Sequence, residues 1–232
     1  MEKNYEILPE DYPNYDLSFK VIVIGNSGVG KSCLSVKATK NIFTESYSAT
    51  IGFEFFTFNI KLNNNKVIKL QIWDTCGQEI YRSLITNFYR NCSLAIIVYS
   101  VTEYIYYIIL YNVFYYSRES FESIETWIKE LRTKANPDAK VIFIGNKIDL
   151  ENDRKITQEE GKKLAEDYEV NLFMETSAKT GFNAQELFVK AAELLNKEFE
   201  QYQLVSDYNI FIIYIYFNRA IQNHLQMNQL NV

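Results

Sequence analysis

The sequence predicts a three-layer α/β/α fold, a six-stranded and mostly parallel sheet flanked by about five helices. Short apolar runs alternate with longer amphipathic stretches from Phe19 to about Phe199, the pattern of strands joined through crossover helices. Several of these runs are apolar on both faces, as strands covered by helices on each side must be. The first run, "FKVIVI" (19–24), leads directly into "GNSGVGKS" (25–32), three glycines and a lysine where a strand hands over to a helix. Glycine there gives up packing and costs conformational entropy, so the turn must bring bare backbone close to something.

The remaining elements follow in order. The first helix is read at "GKSCLSVKA" (30–38). Strands at "FEFFTFNIKL" (53–62) and "VIKLQIWD" (67–74) are joined by "LNNNK" (62–66), a hairpin turn that places one antiparallel pair inside the sheet. "LAIIVYS" (94–100) and "KVIFIGN" (140–146) are strands on either side of the helix "SFESIETWIKELRTK" (120–134), which stops before the break "NPDA" (136–139). A helix at "TQEEGKKLAEDY" (157–168) opens with Thr157 as N-cap and Glu160 at the third helical position, a capping box. "NLFME" (171–175) is the last strand and "NAQELFVKAAELLNKEF" (183–199) the last helix. This divides the chain into an N-terminal extension (1–18), one domain (19–200) and a C-terminal tail (201–232), with no internal repeat.

Bulk composition excludes several classes. A chain of 232 residues suits one substantial domain, and 47% apolar with 23% charged residues is ordinary globular usage. The net charge of −5, with no basic cluster, argues against a nucleic-acid partner. Cys33, Cys76 and Cys92 lack zinc-ligand spacing and the chain has a single histidine, so a zinc site is not expected. The acidic N-terminus has no apolar core and is not a signal peptide, and no apolar stretch reaches the roughly 20 residues of a membrane-spanning helix.

The chemistry concentrates in four short motifs. "GNSGVGKS" fits G-x-x-x-x-G-K-[ST] with a strand before it and a helix after it, the phosphate-binding loop of a P-loop NTPase fold. Backbone N–H groups of Ser27, Gly28, Val29, Gly30, Lys31, Ser32 and Cys33 would wrap a β-phosphate. Lys31 would bridge the β- and γ-phosphates and the Ser32 hydroxyl would bind Mg²⁺. In "WDTCGQE" (73–79), Asp74 can hold the metal through water, Gly77 can offer its N–H to a γ-phosphate oxygen and Gln78 can orient an attacking water; taken alone, the stretch reads equally well as a turn. In "GNKID" (145–149), Asp149 offers two acceptors to the adjacent N–H donors of guanine, with Asn146 and Lys147 supporting the base. In "ETSAK" (175–179), Ser177, Ala178 and Lys179 are candidate nucleotide contacts, the Ala178 N–H reaching the guanine O6. Each of the last two alone is a common loop accident, but all four lie just past a strand, where open α/β sheets bind ligands.

With those motifs, and with "FTESYSATIGFEF" (43–55), "KLQIWDT" (69–75), "YRSL" (81–84) and "FMETSAKT" (173–180), residues 19–102 and 118–199 resemble a small GTPase of the Ras superfamily, and specifically the Rab family. The resemblance implies a GTP/GDP switch with Mg²⁺, hydrolysing GTP slowly in vesicle and protein trafficking, as a monomer in the cytoplasm or on the cytosolic face of intracellular membranes. It implies that Thr50 closes on Mg²⁺ and the γ-phosphate, and that Phe43 packs edge-on against guanine. An exchange factor, a GTPase-activating protein and effectors would dock on 43–55 and 74–88. Phe55, Trp73 and Phe88 would form the apolar triad that meets effectors, although for strand aromatics ordinary core packing is an equally open reading. No arginine is placed to act as a finger in cis, so an activating protein is expected.

Three features depart from the family pattern. Cys76 and Ile80 replace a usual alanine and a commonly basic residue beside Gln78. "EYIYYIILYNVFYYS" (103–117) is an insertion where the family has about one residue, and it shows no clear helical or strand periodicity. It reads either as an aromatic lobe for a membrane or partner, or, preferably, as a translated intron, because Tyr, Ile, Phe and Asn can all be encoded by A/T-only codons. The family's terminal prenylated cysteines have no counterpart after Cys92, so no lipid anchor is expected, and "YNIFIIYIYF" (208–217) shares the insertion's bias. The alternative to a working switch is a catalytically impaired nucleotide-binding scaffold, disabled by the insertion.

Overall fold

The structure is a computed structural model, and it describes residues 4–45, 50–77, 86–102, 104–108 and 113–205. The strands are β1 (Tyr5–Leu8), β2 (Leu17–Ile24), β3 (Phe53–Leu62), β4 (Val67–Thr75), β5 (Leu94–Ser100), β6 (Tyr104–Ile108), β7 (Val113–Ser117), β8 (Lys140–Asn146) and β9 (Leu172–Thr176). The helices are α1 (Lys31–Lys40), α2 (Glu119–Glu122), α3 (Ile124–Lys134), α4 (Gln158–Asp167) and α5, residues 184–193, at the end of the first compact unit. A second unit spans Leu194–Val232; its described residues, 194–205, are helical.

One seven-stranded sheet in the order β1-β3-β4-β2-β5-β8-β9 organises the first unit. The β2–β4, β2–β5, β5–β8 and β8–β9 pairs are parallel, and β3 runs against both of its neighbours. The expected α/β class therefore holds, with the strand count corrected from six to seven. The added strand is β1, "YEIL", in the stretch read as an extension. It pairs Tyr5 with Leu62 through Leu8 with Asn59, and the Asn59 amide fixes the turn behind it by donating to Pro9 O at 2.7 Å and Glu10 O at 3.0 Å. Four residues with mixed polarity carry little strand signal of their own; the open edge of β3 supplies the pairing.

Local signals otherwise act as their chemistry requires. The 62–66 turn closes through Leu62 N–H to Lys66 O and Asn65 N–H to Leu62 O, both 2.9 Å, with Asn65 left-handed at φ 64°. Thr157 and Glu160 form the reciprocal capping box of α4. The single helix expected at 120–134 is broken at Ser123 into α2 and α3, whose buried Ile124, Trp127, Ile128 and Leu131 fall at the i, i+3, i+4, i+7 spacing of one face. These join Ile22, Ile24, Ala95, Ile97 and Phe143 in one core, where burying each Ile, Leu or Phe stabilises the fold by roughly 1.5–3 kcal/mol.

The insertion is also corrected. It contains a regular antiparallel hairpin, β6 paired with β7 from Tyr104–Ser117 to Ile108–Val113, in a two-stranded sheet of its own. Residues rich in Tyr, Ile, Val and Phe favour extended pairing even without polar alternation. The aromatic tail at 208–217 lies outside the described residues.

The parallel strands all end toward one edge. There the sheet delivers residues 25–32 after β2, 74–77 at the end of β4, 146–149 after β8 and 176–179 after β9.

Candidate functional site

The loop after β2 is shaped by what surrounds it. Gly30, the residue before α1, is left-handed at φ 97°, and a Cβ there would lie 2.5 Å from the Asn146 amide nitrogen. No side chain caps α1 and its first turn holds no acidic residue, so the positive end of its dipole faces the loop. Lys31 opens the helix almost fully buried, its ammonium donating to Gly25 O and Asn26 O at 2.8 Å each. Burial lowers its pKa to about 8, against the opposing pull of Asp74.

Next to the lysine, three oxygen donors converge. Ser32 Oγ is 2.6 Å from Thr50 Oγ1 and donates to Asp74 Oδ2. Asp74 is wholly buried at the end of β4, and its Oδ1 has no hydrogen-bond partner. Burial raises the carboxyl to about 7, although the Ser32 hydrogen bond and the Lys31 charge both pull it down. An orphaned carboxylate oxygen beside two hydroxyls is a donor set for a hard divalent cation such as Mg²⁺. Among the described residues no three His, Cys, Asp or Glu side chains cluster as a metal site, so such a cation needs further oxygens from water or a ligand.

The segment after β4 is drawn tightly over this floor. Thr75 Oγ1 donates to Val23 O at 2.8 Å and Cys76 N–H to Gly52 O at 3.0 Å, tying it to the strand below and to the segment carrying Thr50. Gly77 lies so close to the loop that an added Cβ would meet Asn26 C and Ser27 N at 2.4 Å. Only glycine fits that approach. Cys76 is buried in the core cluster, which gives the departure from alanine a packing role. Gln78, Ile80 and Tyr81–Leu84 lie outside the described residues.

On the other side, Asn146 joins three loops. Fully buried, it donates from Nδ2 to Val29 O at 2.9 Å, and its Oδ1 accepts from Thr176 Oγ1 at 3.0 Å and from Ala178 N–H at 3.3 Å. The Ala178 N–H assigned to a base by sequence thus lies beside Asn146. Ser177 donates to Asp149 Oδ1 at 2.5 Å, which fixes the plane of that carboxylate. Lys147 is left-handed at φ 73°, and its pKa is lowered by burial. Cys33, half-buried in the first turn of α1, has its thiol pushed up by burial. Lys179 is exposed and ion-paired to Glu45 at 3.2 Å, two residues past the half-buried Phe43.

The three aromatic residues do cluster. Phe55 and Trp73 meet edge to face at 5.2 Å and Trp73 lies 5.4 Å from Phe88. Phe53 and Phe55 are each 48% exposed, whereas Trp73 and Phe88 are partly buried and pack against the core, so the group reaches from core to surface. Phe53, overlooked in the sequence, completes it at 4.8 Å from Phe88 and 5.4 Å from Trp73; its i, i+2 spacing from Phe55 on β3 was the available signal. Lys20 stands 5.3 Å from the Trp73 ring centre.

The chain matches known proteins over most of its length. The Ras family model matches residues 20–197. The chain is 39% identical over 192 residues to the Ras-related protein Rab-1C of Dictyostelium discoideum, covering 83% of this chain and 88% of that protein. It is 41% identical over 184 residues to the Ras-related protein Rab-4B of Homo sapiens and of Rattus norvegicus, covering 79% of each chain.

Proposed function

The chain belongs to the Ras family, among its Rab-type small GTPases, and on that premise we propose that it is a slow GTP-hydrolysing switch that recruits effectors in its GTP state during vesicle trafficking. The observation that carries the reading is the convergence of Ser32, Thr50 and the orphaned Asp74 oxygen beside the Lys31 ammonium. A triphosphate with its metal is the ligand that satisfies all four.

In this reading Ser32, Thr50 and Asp74 would hold Mg²⁺, which would supply charge neutralisation for the phosphates. The backbone N–H groups of Ser27 to Cys33 and the Lys31 ammonium hold the phosphates in place. The Gly77 N–H faces a γ-phosphate oxygen, and Gln78 orients the attacking water. Asp149 reads the two donors of guanine; adenine would leave that carboxylate with its Ser177 bond alone. An activating protein contributes most of the rate, about 10⁵-fold in Ras-type enzymes. Thr50 and Gly77 order the two segments flanking the aromatic cluster, which effectors then read. The protein acts at the cytosolic face of intracellular membranes; no helix among the described residues is long and apolar enough to cross one.

Binding of fluorescent guanine and adenine nucleotides to the purified chain, with Mg²⁺ or with EDTA, tests the assignment. The expected outcome is tight binding of GDP and GTP, weakened at least tenfold by EDTA, with adenine nucleotides bound orders of magnitude more weakly. Equal affinity for ATP, or no effect of EDTA, would contradict it.

A further inference from the structure

We propose that Asn26 and Trp127 form a positioning pair through which helix α3 holds the phosphate-binding loop in shape and sets the rate of nucleotide release. The proposal rests on the nucleotide reading of the loop. Asn26 is a junction of four contacts. Its Oδ1 accepts from the Trp127 indole N–H at 2.8 Å and its Nδ2 donates to Ser123 Oγ at 3.1 Å. Its main-chain oxygen accepts from the Lys31 ammonium at 2.8 Å, and its carbonyl lies under Gly77, where a Cβ would meet the Asn26 oxygen at 2.5 Å. The residue that carries the lysine and underlies the γ-phosphate segment is thus fixed in orientation by two side chains of another element.

That element is a rigid support. Trp127 is 5% exposed, and Ile124, Ile128 and Leu131 beside it are fully buried. A side-chain amide gripped at both ends cannot rotate freely, so its peptide carbonyl stays aimed at the ammonium. Apolar packing alone would be served by any large aromatic residue at 127; the indole N–H is what reaches the loop.

The coupling makes a prediction that a packing role does not. Trp127→Phe keeps most of the ring and removes the donor, Asn26→Ala removes the junction, and Asn26→Asp keeps an acceptor for the indole. Release of fluorescent GDP from the full-length protein is followed for each, together with the thermal midpoint in EDTA. The two single variants are expected to release GDP about tenfold faster, with midpoints in EDTA close to the parent. Their combination should add little further, and Asn26→Asp should release at nearly the parental rate. Unchanged release in both single variants, multiplying effects in the double variant, or an Asn26→Asp rate equal to that of Asn26→Ala would overturn the proposal while leaving nucleotide binding intact. A parent protein that binds no guanine nucleotide would overturn this proposal and the nucleotide reading together.

Discussion

Asp149 has one oxygen held by Ser177, a residue that sequence reading assigned to the ligand itself. The hydroxyl orients the carboxylate, and in the proposed site that carboxylate reads the base. Asp149→Asn exchanges an acceptor for a donor, which matches the C2 carbonyl of xanthine and mismatches the guanine amine. Competition binding is expected to show GTP affinity falling about a hundredfold or more, while xanthosine triphosphate gains. Unaltered GTP affinity would remove Asp149 as the reader of the base. The placement of the 25–32 loop, Asp74 and Asp149 at one sheet edge was legible, because each stands at or just past the end of a strand that the sequence marks. The hydrogen bonds of Asn146 were not: its partners, Val29, Thr176 and Ala178, lie 117, 30 and 32 residues away, and only the sheet order brings them together.

Among the elements, those that announced themselves were the ones whose signal is local. The 62–66 hairpin, the Thr157 capping box and the amphipathic face of α3 each depend on contacts within a few residues. Strand β1 depends on the β3 edge, and the β6–β7 hairpin on pairing between two runs without polar alternation, so neither was written in periodicity. The hairpin leaves and rejoins the domain at one place, since Ser100 N–H, on one side of it, donates to Ser120 Oγ on the other at 3.2 Å. Downstream of it α2 keeps its own anchors, the Arg118–Glu160 ion pair at 2.5 Å and the Tyr99–Phe121 ring contact at 5.0 Å. Isolated two-stranded hairpins contribute little stability. Deleting residues 103–117 is therefore expected to leave the thermal midpoint unchanged or raise it, with or without GDP and Mg²⁺. A fall of many degrees in both conditions would show the hairpin to be an integral part of the fold.

At the scale of the whole molecule, the fold class followed from the alternation of apolar runs and helices, and the site from the edge at which parallel strands end. The sheet brings residues 25–32, Asp74 and Asp149 to that edge, and β3 and β4 carry Phe53, Phe55 and Trp73, which cluster with Phe88. The Cys76 N–H to Gly52 O hydrogen bond ties residues 50–52 to 76, and in the proposed switch it is the contact through which an event at the γ-phosphate would reach both segments. The central claim is that GTP is turned over at this site and not merely held there. Its most direct measurement is single-turnover hydrolysis: purified protein loaded with GTP labelled at the γ-position, started with Mg²⁺, beside a Gln78→Leu variant. The expected result is a slow single exponential in the parent, on the order of 10⁻⁴ s⁻¹, and a rate at least several-fold lower in the variant, with GTP bound equally by both. A parent that retains GTP without releasing phosphate would contradict the account and leave the chain a nucleotide-holding scaffold.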